Sequence, residues 1–208
     1  MTAATPTSTK PVRRRRSRAE RARENREALI NAAASIVGES GYEAATIAEV
    51  TRRAGLSLGL FYQYFESRDD LFRQLLPAVG SHLIATLGQE FHDAKSVVEG
   101  EVRSIKTYFD YVSSGSPIMR VFKEAEVYAP EAYNNHMANV LQRYTKSLRR
   151  QKEAGSYRGF TDRELRVVAV LLTSARLGFY EQLVSKGEDP AWVSNAFAKI
   201  IKALSQVK

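Results

Sequence analysis

We predict an all-α fold for this chain of 208 residues, and three observations support it. Apolar residues recur at the 3.6-residue period of a helix along most of the sequence. No segment shows the two-residue alternation typical of a strand, and helix-capping residues precede several of the periodic stretches. We find no internal repeat of about 20–50 residues, so a repeat architecture is not indicated.

The predicted elements begin near Arg18, after a small, polar, Pro-containing segment (residues 1–12) that we expect to be disordered. The first helix is predicted from one apolar stripe and ends between Gly38 and Gly41. Its members fall at i, i+3, i+4, i+7 and i+8: Leu29, Ala32, Ala33, Ile36 and Val37.

Two short helices joined by a tight turn are predicted next. Thr46 and Glu49 form a potential capping box at the first start, and Gly55 stands where a left-handed residue ends that helix. Ser57 is a second N-cap candidate, and the second helix is predicted over residues 57–65. This spacing is that of a helix-turn-helix. Its expected shared core is Ile47, Val50, Ala54, Leu56 and Phe61.

The remaining sequence predicts six longer helices. Ser67 caps the first of them, and Pro77 inside it predicts a kink. The others are predicted at about residues 96–114, 117–128, 131–153, 162–185 and 190–206. Thr161 with Glu164 is a capping box, and Asp189 followed by Pro190 is an N-cap with the residue best tolerated at the first helical position.

The charge of the chain is uneven. The net charge is +8, of which residues 1–27 carry +6, mainly through a run of arginines. A basic arm on a nearly neutral body indicates a polyanionic partner, either nucleic acid or an anionic membrane surface. The run itself is Arg13, Arg14, Arg15 and Arg16, and the first predicted helix adds Arg18, Arg21, Arg23 and Arg26.

Several classes of protein are disfavoured by composition. The absence of cysteine excludes disulfides, thiolate nucleophiles and Cys-ligated metal sites. His82, His92 and His136 are isolated, and no phosphate-binding Gly-rich loop occurs, so neither a catalytic site, a metal site nor a cofactor is expected. No uninterrupted apolar run of about 18 residues and no signal-peptide pattern occurs, which predicts a cytoplasmic protein with no membrane partner. A membrane-surface role for the arm is disfavoured because no apolar anchors interleave with the arginines.

Residues 46–71 (TIAEVTRRAGLSLGLFYQYFESRDDL) resemble the N-terminal DNA-binding signature of the tetracycline-repressor (TetR/AcrR) family of bacterial transcription regulators. The resemblance covers about residues 24–72, and the rest agrees in length and helical pattern. It implies three domains of the sequence: a basic arm (1–17), a helix-turn-helix domain (18–66), and a helical effector-binding and dimerisation domain (67–208). It also implies a homodimer on double-stranded operator DNA.

The resemblance further implies which side chains contact DNA. Leu58, Gly59 and Leu60 would face bases in the major groove, and Gln63 is the best candidate for direct readout because an amide binds adenine bidentately. Phosphate contacts are implied for Thr46, Ser57, Tyr62, Tyr64 and Arg68. Core packing remains the alternative for both tyrosines, and Glu66 stands where the family often has a basic residue. The arginine run either enters a minor groove or remains a solvated arm.

An aromatic middle region predicts a cavity for a small hydrophobic effector, although most aromatics at helical spacing are ordinary core. Arg176 interrupts an apolar stripe, so we expect a partner carboxylate from Glu124, Glu126 or a ligand. The candidate effector residues are Tyr108, Tyr111, Met119, Phe122, Glu124, Tyr128, His136, Arg176, Phe179 and Tyr180.

The last two helices carry apolar residues on more than one side, which together with the resemblance predicts the dimer contact. Those residues are Val167, Val170, Leu171, Trp192, Val193, Phe197 and Ile200. A twofold axis predicts a palindromic operator with half-sites roughly 34–36 Å apart or at a longer spacing. The predicted mechanism is repression that an effector relieves by moving the recognition helices, with Pro77 in the lever helix. The alternative is a regulator without a small-molecule ligand that a partner protein controls.

Overall fold

The computed structural model describes residues 17–207, and these form nine α-helices with no β-strand. The predicted all-α fold class is therefore confirmed. The helices are α1 (Arg18–Ser40), α2 (Ile47–Ala54), α3 (Leu58–Phe61), α4 (Arg68–His92), α5 (Val97–Ser113), α6 (Ile118–Tyr128), α7 (Pro130–Glu153), α8 (Asp162–Gln182) and α9 (Pro190–Ser205). The run Arg13 to Arg16 lies outside the described residues.

The N-terminal unit, made of α1, α2 and α3, is built as the sequence predicts, with one difference in length. The stripe of α1 is buried, and Gly55 adopts the left-handed conformation (φ 67°, ψ 29°) that ends α2. The helix α3 is shorter than predicted and ends at Phe61. The amides of Gln63 and Tyr64 donate to carbonyls three residues back, with Tyr64 N bonded to Phe61 O at 2.9 Å. These bonds tighten the last turn while Phe61 and Phe65 both stay in the core.

The capping predictions hold with one correction. Thr161 and Glu164 form both bonds of a capping box at α8, and Asp189 accepts from Ala191 N at the start of α9. At α2 only half of the expected box forms. Thr46 Oγ1 accepts from Glu49 N, but the Glu49 carboxylate pairs with Arg52 at 2.6 Å instead of returning to the Thr46 amide. A charged partner one turn away is the stronger attraction for an exposed carboxylate.

The longer helices match the predicted positions closely. The helix α4 continues through Pro77, and the kink there stays a prediction. The helix α8 ends at Gln182, and the predicted last turn is instead a separate 3-10 turn, Val184–Lys186. Of the predicted dimer residues, Val193 and Phe197 are buried within the chain, because they pack in the core beneath α9. The other five are exposed.

The helix α6 joins the N-terminal unit to the body. Glu124 on α6 accepts from the Tyr42 amide at 2.8 Å and from Arg120 at 2.7 Å, while Arg120 also donates to the Glu39 carbonyl at 3.0 Å. The Tyr128 ring stacks on Tyr42 with centroids 5.3 Å apart. One face of α6 is therefore fixed to the end of α1 and the turn that follows it.

Candidate DNA-binding surface and effector cavity

The helix α3 presents an uncharged surface to solvent. Ser57 Oγ caps it by accepting from Leu60 N at 3.3 Å, and this sets the direction of the helix. Leu58 and Tyr62 are 54% and 56% exposed, which is unusual for such large apolar side chains in so small a unit. Gly59 is exposed with nothing near its Cα side, so another molecule can approach the backbone closely there.

The other predicted DNA contacts occupy different environments. Gln63 is exposed beside Tyr62, whereas Tyr64 is half-buried and its hydroxyl accepts from Asn25 at 3.2 Å. Arg68 lies over the Phe72 ring, 5.1 Å from its centroid. Much of the Tyr64 side chain is thus buried against the core, whereas the Tyr62 side chain is exposed to solvent.

Arginines of α2 are engaged in ion pairs next to this surface. Arg52 binds Glu49, and Arg53 binds Glu39 at 2.6 Å. These pairs neutralise α2 on its exposed side. The positive charge that remains near α3 therefore comes from α1 and from Arg68, while Glu66 is an exposed acidic residue beside it.

A cavity of about 950 Å³ lies among α4, α5, α6, α7 and α8. Its volume falls at the upper end of the range of small-molecule sites, and its wall is largely apolar. Five of the ten predicted effector residues line it: Tyr108, Met119, Phe122, His136 and Arg176. The imidazole of His136 packs directly on Gly80 of α4, and burial lowers the pKa of His136.

The other five predicted effector residues lie outside the cavity. Glu124 and Tyr128 point the other way from α6 and bind the N-terminal unit. Tyr111 lines a second, smaller cleft beside α1, about 570 Å³ in volume. Phe179 packs on Phe197, and the Tyr180 hydroxyl donates to the Val112 carbonyl at 3.4 Å. Helical periodicity identifies a buried face but cannot distinguish a cavity wall from a helix contact.

A buried polar cluster stands at the cavity wall. The Arg176 guanidinium binds Glu101 at 2.7 Å and lies over the Tyr144 ring, whose hydroxyl donates to Glu101. The expected carboxylate partner therefore exists, but it is Glu101 of α5 and not Glu124 or Glu126. A sequence signal was present, because Glu101 lies on the same face of α5 as Ile105 and Tyr108.

Two members of this cluster, Arg176 and Tyr144, have pKa values shifted by their surroundings. Burial acts to lower the pKa of Arg176, but the oxygens of Tyr144 and Glu101 outweigh burial and raise it. Burial also raises the pKa of the Tyr144 phenol well above its usual range. Arg176 therefore stays charged and Tyr144 stays neutral at physiological pH. The Nε atom of Arg176 has no hydrogen-bond partner among the described residues.

Exposed apolar side chains lie on both α8 and α9. Val167, Val170 and Leu171 of α8 and Trp192 and Ile200 of α9 are each at least 47% exposed. By length and composition alone the segment Asp162–Lys186 is apolar enough to cross a membrane, with a mean hydropathy of 1.3. One such helix is weak evidence, since helices that bury an apolar face against protein pass the same test.

An all-α chain with a helix-turn-helix whose second helix is exposed and uncharged, and with a separate internal cavity, has the architecture of helix-turn-helix transcription regulators. Residues 29–75 match the family model described as bacterial regulatory proteins, tetR family. The N-terminal unit is therefore a TetR-family DNA-binding segment, and the predicted family is confirmed.

Relatives and solved structures extend this comparison. The chain is 30% identical to the regulator BetI of Rhizobium meliloti (strain 1021) over 106 residues, which is 51% of this chain and 45% of BetI. The curated relatives are matched over only 21% to 46% of their own length. A putative TetR-family regulator from Rhodococcus sp. has the same fold, with a TM-score of 0.74 at 17% identity over 88% of this chain and 100% of that one.

The fold also matches the regulator FadR of Bacillus subtilis, solved in complex with stearoyl-CoA. The TM-score is 0.65 at 16% identity, over 88% of this chain and 98% of FadR. At this identity the likeness concerns the fold. The matched relatives are named as transcriptional regulators, which is a class of proteins without catalytic activity.

Proposed function

We propose that this protein is a cytoplasmic transcriptional regulator that binds a palindromic operator in double-stranded DNA as a homodimer and is released by a small hydrophobic effector. The exposed, uncharged surface of α3 within a TetR-family segment is the observation that carries the proposal. We divide the chain as the sequence indicates, into an arm (1–17), a DNA-binding domain (18–66) and an effector and dimerisation domain (67–208).

Base recognition on this proposal belongs to α3. Leu58 and Leu60 offer apolar contact to thymine methyl groups, Gly59 permits close approach, and Gln63 reads adenine. Thr46, Ser57, Tyr62, Tyr64 and Arg68 contact phosphates. Because the Tyr64 hydroxyl already accepts a hydrogen bond from Asn25, Tyr64 contributes less to phosphate binding than Tyr62 or Arg68 does.

Selection of bound DNA from a random pool, followed by fluorescence anisotropy, tests this proposal. The expected result is a palindrome, and Gln63→Ala should lose about tenfold in preference at one position because a bidentate base contact contributes about 1–3 kcal/mol. Arg68→Ala should instead weaken binding to all sequences and lower the salt slope by about 1. A selected pool without a palindrome would refute the proposal that a homodimer recognises the operator.

The arginine arm is tested separately. Deleting residues 1–16 should reduce operator affinity and the slope of log affinity against log salt, because each neutralised phosphate releases counterions. An unchanged slope would show that the arm does not contact the operator.

The homodimer is proposed to form through the exposed face of α8 and α9. Full burial of an apolar side chain of this size contributes about 1.5–3 kcal/mol, and because these side chains are about half exposed, each gains about half of that in a twofold contact. Val170→Glu should give a monomer in analytical ultracentrifugation. Val127→Glu is the matched control, since Val127 is 76% exposed on α6, away from this face, and should leave the dimer intact.

The effector is proposed to occupy the cavity beside α6. Ile118, Met119 and Phe122 of α6 line the cavity, while Glu124 and Tyr128 of the same helix bind the N-terminal unit. A ligand that prefers one position of α6 therefore shifts the DNA-binding units. The stearoyl-CoA complex of FadR supports a ligand with a long acyl chain. Thermal-shift screening with acyl chains, aromatics and drugs tests this proposal. If no compound changes the Tm, control by a partner protein would be favoured.

A further inference from the structure

The helix-turn-helix segment carries more negative than positive charge. Residues 43–70 contain three arginines and five carboxylate side chains. The arginines are Arg52, Arg53 and Arg68, and the carboxylates are Glu43, Glu49, Glu66, Asp69 and Asp70. Contacts from arginine and lysine to phosphate supply most of the affinity for DNA that is independent of sequence. The affinity of this segment therefore depends on which of its arginines are free to contact phosphates.

Arg52 is the most exposed of the three arginines, and Glu49 binds it at two points. Its Nε donates to Glu49 Oε2 at 2.8 Å, and its Nη2 donates to Glu49 Oε1 at 2.6 Å. This bidentate arrangement gives a guanidinium–carboxylate pair its geometric specificity. The hydrogen bond from Arg52 lowers the pKa of the Glu49 carboxyl, which is therefore ionised at neutral pH. The Arg52 side chain is otherwise 69% exposed to solvent.

Arg53 differs from Arg52 because α1 also binds it. Its guanidinium lies 2.6 Å from Glu39 and donates to Ser35 at 3.1 Å, whereas the Glu49 carboxylate is 3.6 Å away. Removal of that carboxylate would therefore leave Arg53 bound to α1. Arg52 alone would be released.

The position of Arg52 is compatible with a phosphate contact. In a helix-turn-helix the first helix of the pair crosses the DNA backbone, and α2 is that helix here. Arg52 lies in the last turn of α2, two residues after the buried Val50, so the two side chains point to opposite sides of the helix. A phosphate can take the place of the Glu49 carboxylate, because the arginine fork matches both anions.

Glu49 makes this exchange unfavourable. When Arg52 moves to a phosphate, one ion pair is lost for the one that is formed, and a carboxylate is left next to the DNA. Juxtaposed like charges repel, so the exchange gains little while Glu49 is ionised.

We infer that Arg52 is a latent phosphate contact of the DNA-binding surface and that the Glu49 carboxylate holds it away from DNA. Glu49 thereby limits the affinity without changing the preferred sequence, because a phosphate contact carries no sequence information. The inference rests on the proposed function, since it concerns the same DNA-binding surface. It gives Glu49 a role beyond helix stabilisation, which is the usual role of an exposed pair at i and i+3.

Fluorescence anisotropy of the full chain tests the inference. The probes are two labelled duplexes of equal length, the selected operator and a random sequence, at salt concentrations between about 50 and 200 mM. Glu49→Gln should tighten binding and steepen the slope of log affinity against log salt by about 0.9 for each bound protomer. The gain per protomer should thus be about threefold larger at the lower salt than at the higher, and equal for both duplexes.

Arg52→Gln identifies the side chain that Glu49→Gln releases. In the wild-type chain Arg52→Gln should leave the salt slope unchanged, and in the Glu49→Gln chain it should cancel the steepening. The matched control is Glu66→Gln, which removes an exposed carboxylate that has no partner within residues 17–207. The effect of this control should be the same with and without Arg52.

A purely structural role of the pair predicts a different result. Loss of a helix-stabilising pair would lower the Tm and weaken binding in Glu49→Gln, with no steeper slope. The released contact predicts tighter binding with the Tm unchanged to within about 2 °C, since exposed pairs contribute little to stability. Gln has nearly the helix propensity of Glu, and the bond that caps α2 runs from the backbone amide of residue 49 to Thr46, so the variant should fold.

Three outcomes would overturn the inference. The first is an unchanged slope in Glu49→Gln, or an equal steepening when Arg52 is absent. The second is a shallower slope in Arg52→Gln alone, which would show that Arg52 already contacts phosphate in the wild-type chain. The third is a gain confined to the operator, which would make Arg52 a base contact. Failure of the wild-type chain to bind either duplex would instead refute the proposed function.

Discussion

Gly80 of α4 makes a contact whose energetic effect can be separated from helix propensity. A Cβ atom built on Gly80 would overlap Cε1 of His136 and lie 3.2 Å from both imidazole nitrogens. Gly88, two turns later in the same helix, has nothing within 4 Å of such an atom. The pair therefore offers one substitution, Gly→Ala, in a crowded and in an open environment.

The magnitudes follow from two opposing terms. Alanine in place of glycine inside a helix stabilises by about 1 kcal/mol, and Gly88→Ala should show this gain alone. At Gly80 the added methyl forces His136 aside at a cost of about 1–3 kcal/mol, so Gly80→Ala should be destabilised by about 0–2 kcal/mol in net. For a protein of this length, 1 kcal/mol corresponds to about 2–4 °C in Tm.

Chemical denaturation measures the free energy of unfolding of four variants: Gly80→Ala, Gly88→Ala, His136→Ala and the double variant with Gly80→Ala and His136→Ala. In a His136→Ala background the obstacle is gone, so adding Gly80→Ala should now stabilise by about 1 kcal/mol, as Gly88→Ala does. The difference between backgrounds is the interaction energy of the contact. Equal stabilisation by Gly80→Ala and Gly88→Ala in the wild-type chain would refute the close packing of α4 on α7.

Three further outcomes are expected. Gly55→Ala should lower stability by about 1 kcal/mol in thermal unfolding, because its φ of 67° is unfavourable for any residue with a Cβ atom. Tyr62→Phe should weaken operator binding severalfold in anisotropy without changing Tm, since its exposed hydroxyl has no part in the core; a large fall in Tm would contradict this. At Glu124 burial acts to raise the pKa, but the hydrogen bonds from Arg120 and Tyr42 outweigh it and lower the pKa. The carboxylate thus stabilises the fold above its unfolded pKa of about 4.5 and loses this effect as pH falls through the lower folded value; Glu124→Gln should flatten that part of the stability profile, and an unaltered profile would contradict the contact.

Much of the fold could be predicted because its signals are local. The stripe of α1, the left-handed Gly55, and the caps at Ser57, Thr161 and Asp189 each depend on residues within a few positions of one another. Such interactions act in nearly the same way in any context. The length of α3 escaped prediction, since after Phe61 the Gln63 and Tyr64 amides donate to carbonyls three residues back, and burial of Phe61 and Phe65 is compatible with either bonding pattern.

The effector residues were predicted less well because a cavity is a relation among distant segments. Periodicity places Tyr128 and Phe122 on different sides of the same short helix but cannot show which side lines a cavity and which contacts the N-terminal unit. The cations of α7 at the cavity were not predicted at all, although the spacing of Arg143, Lys146 and Arg150 was visible in the sequence. Exposed cations at helical spacing usually form an ordinary solvated face, so only the adjoining cavity distinguishes these three residues from such a face.

The sequence by itself determined the class of fold, the positions of nearly all the helices and the identity of the DNA-binding segment, since these depend on local periodicity, caps and a short motif. Only the tertiary structure decided that Arg176 pairs with Glu101, 75 residues away, and that α6 links the cavity to the N-terminal unit. The physical reason is that a buried charge takes whichever partner the packing of helices brings within reach. That partner is set by the whole fold and by no neighbouring stretch of sequence.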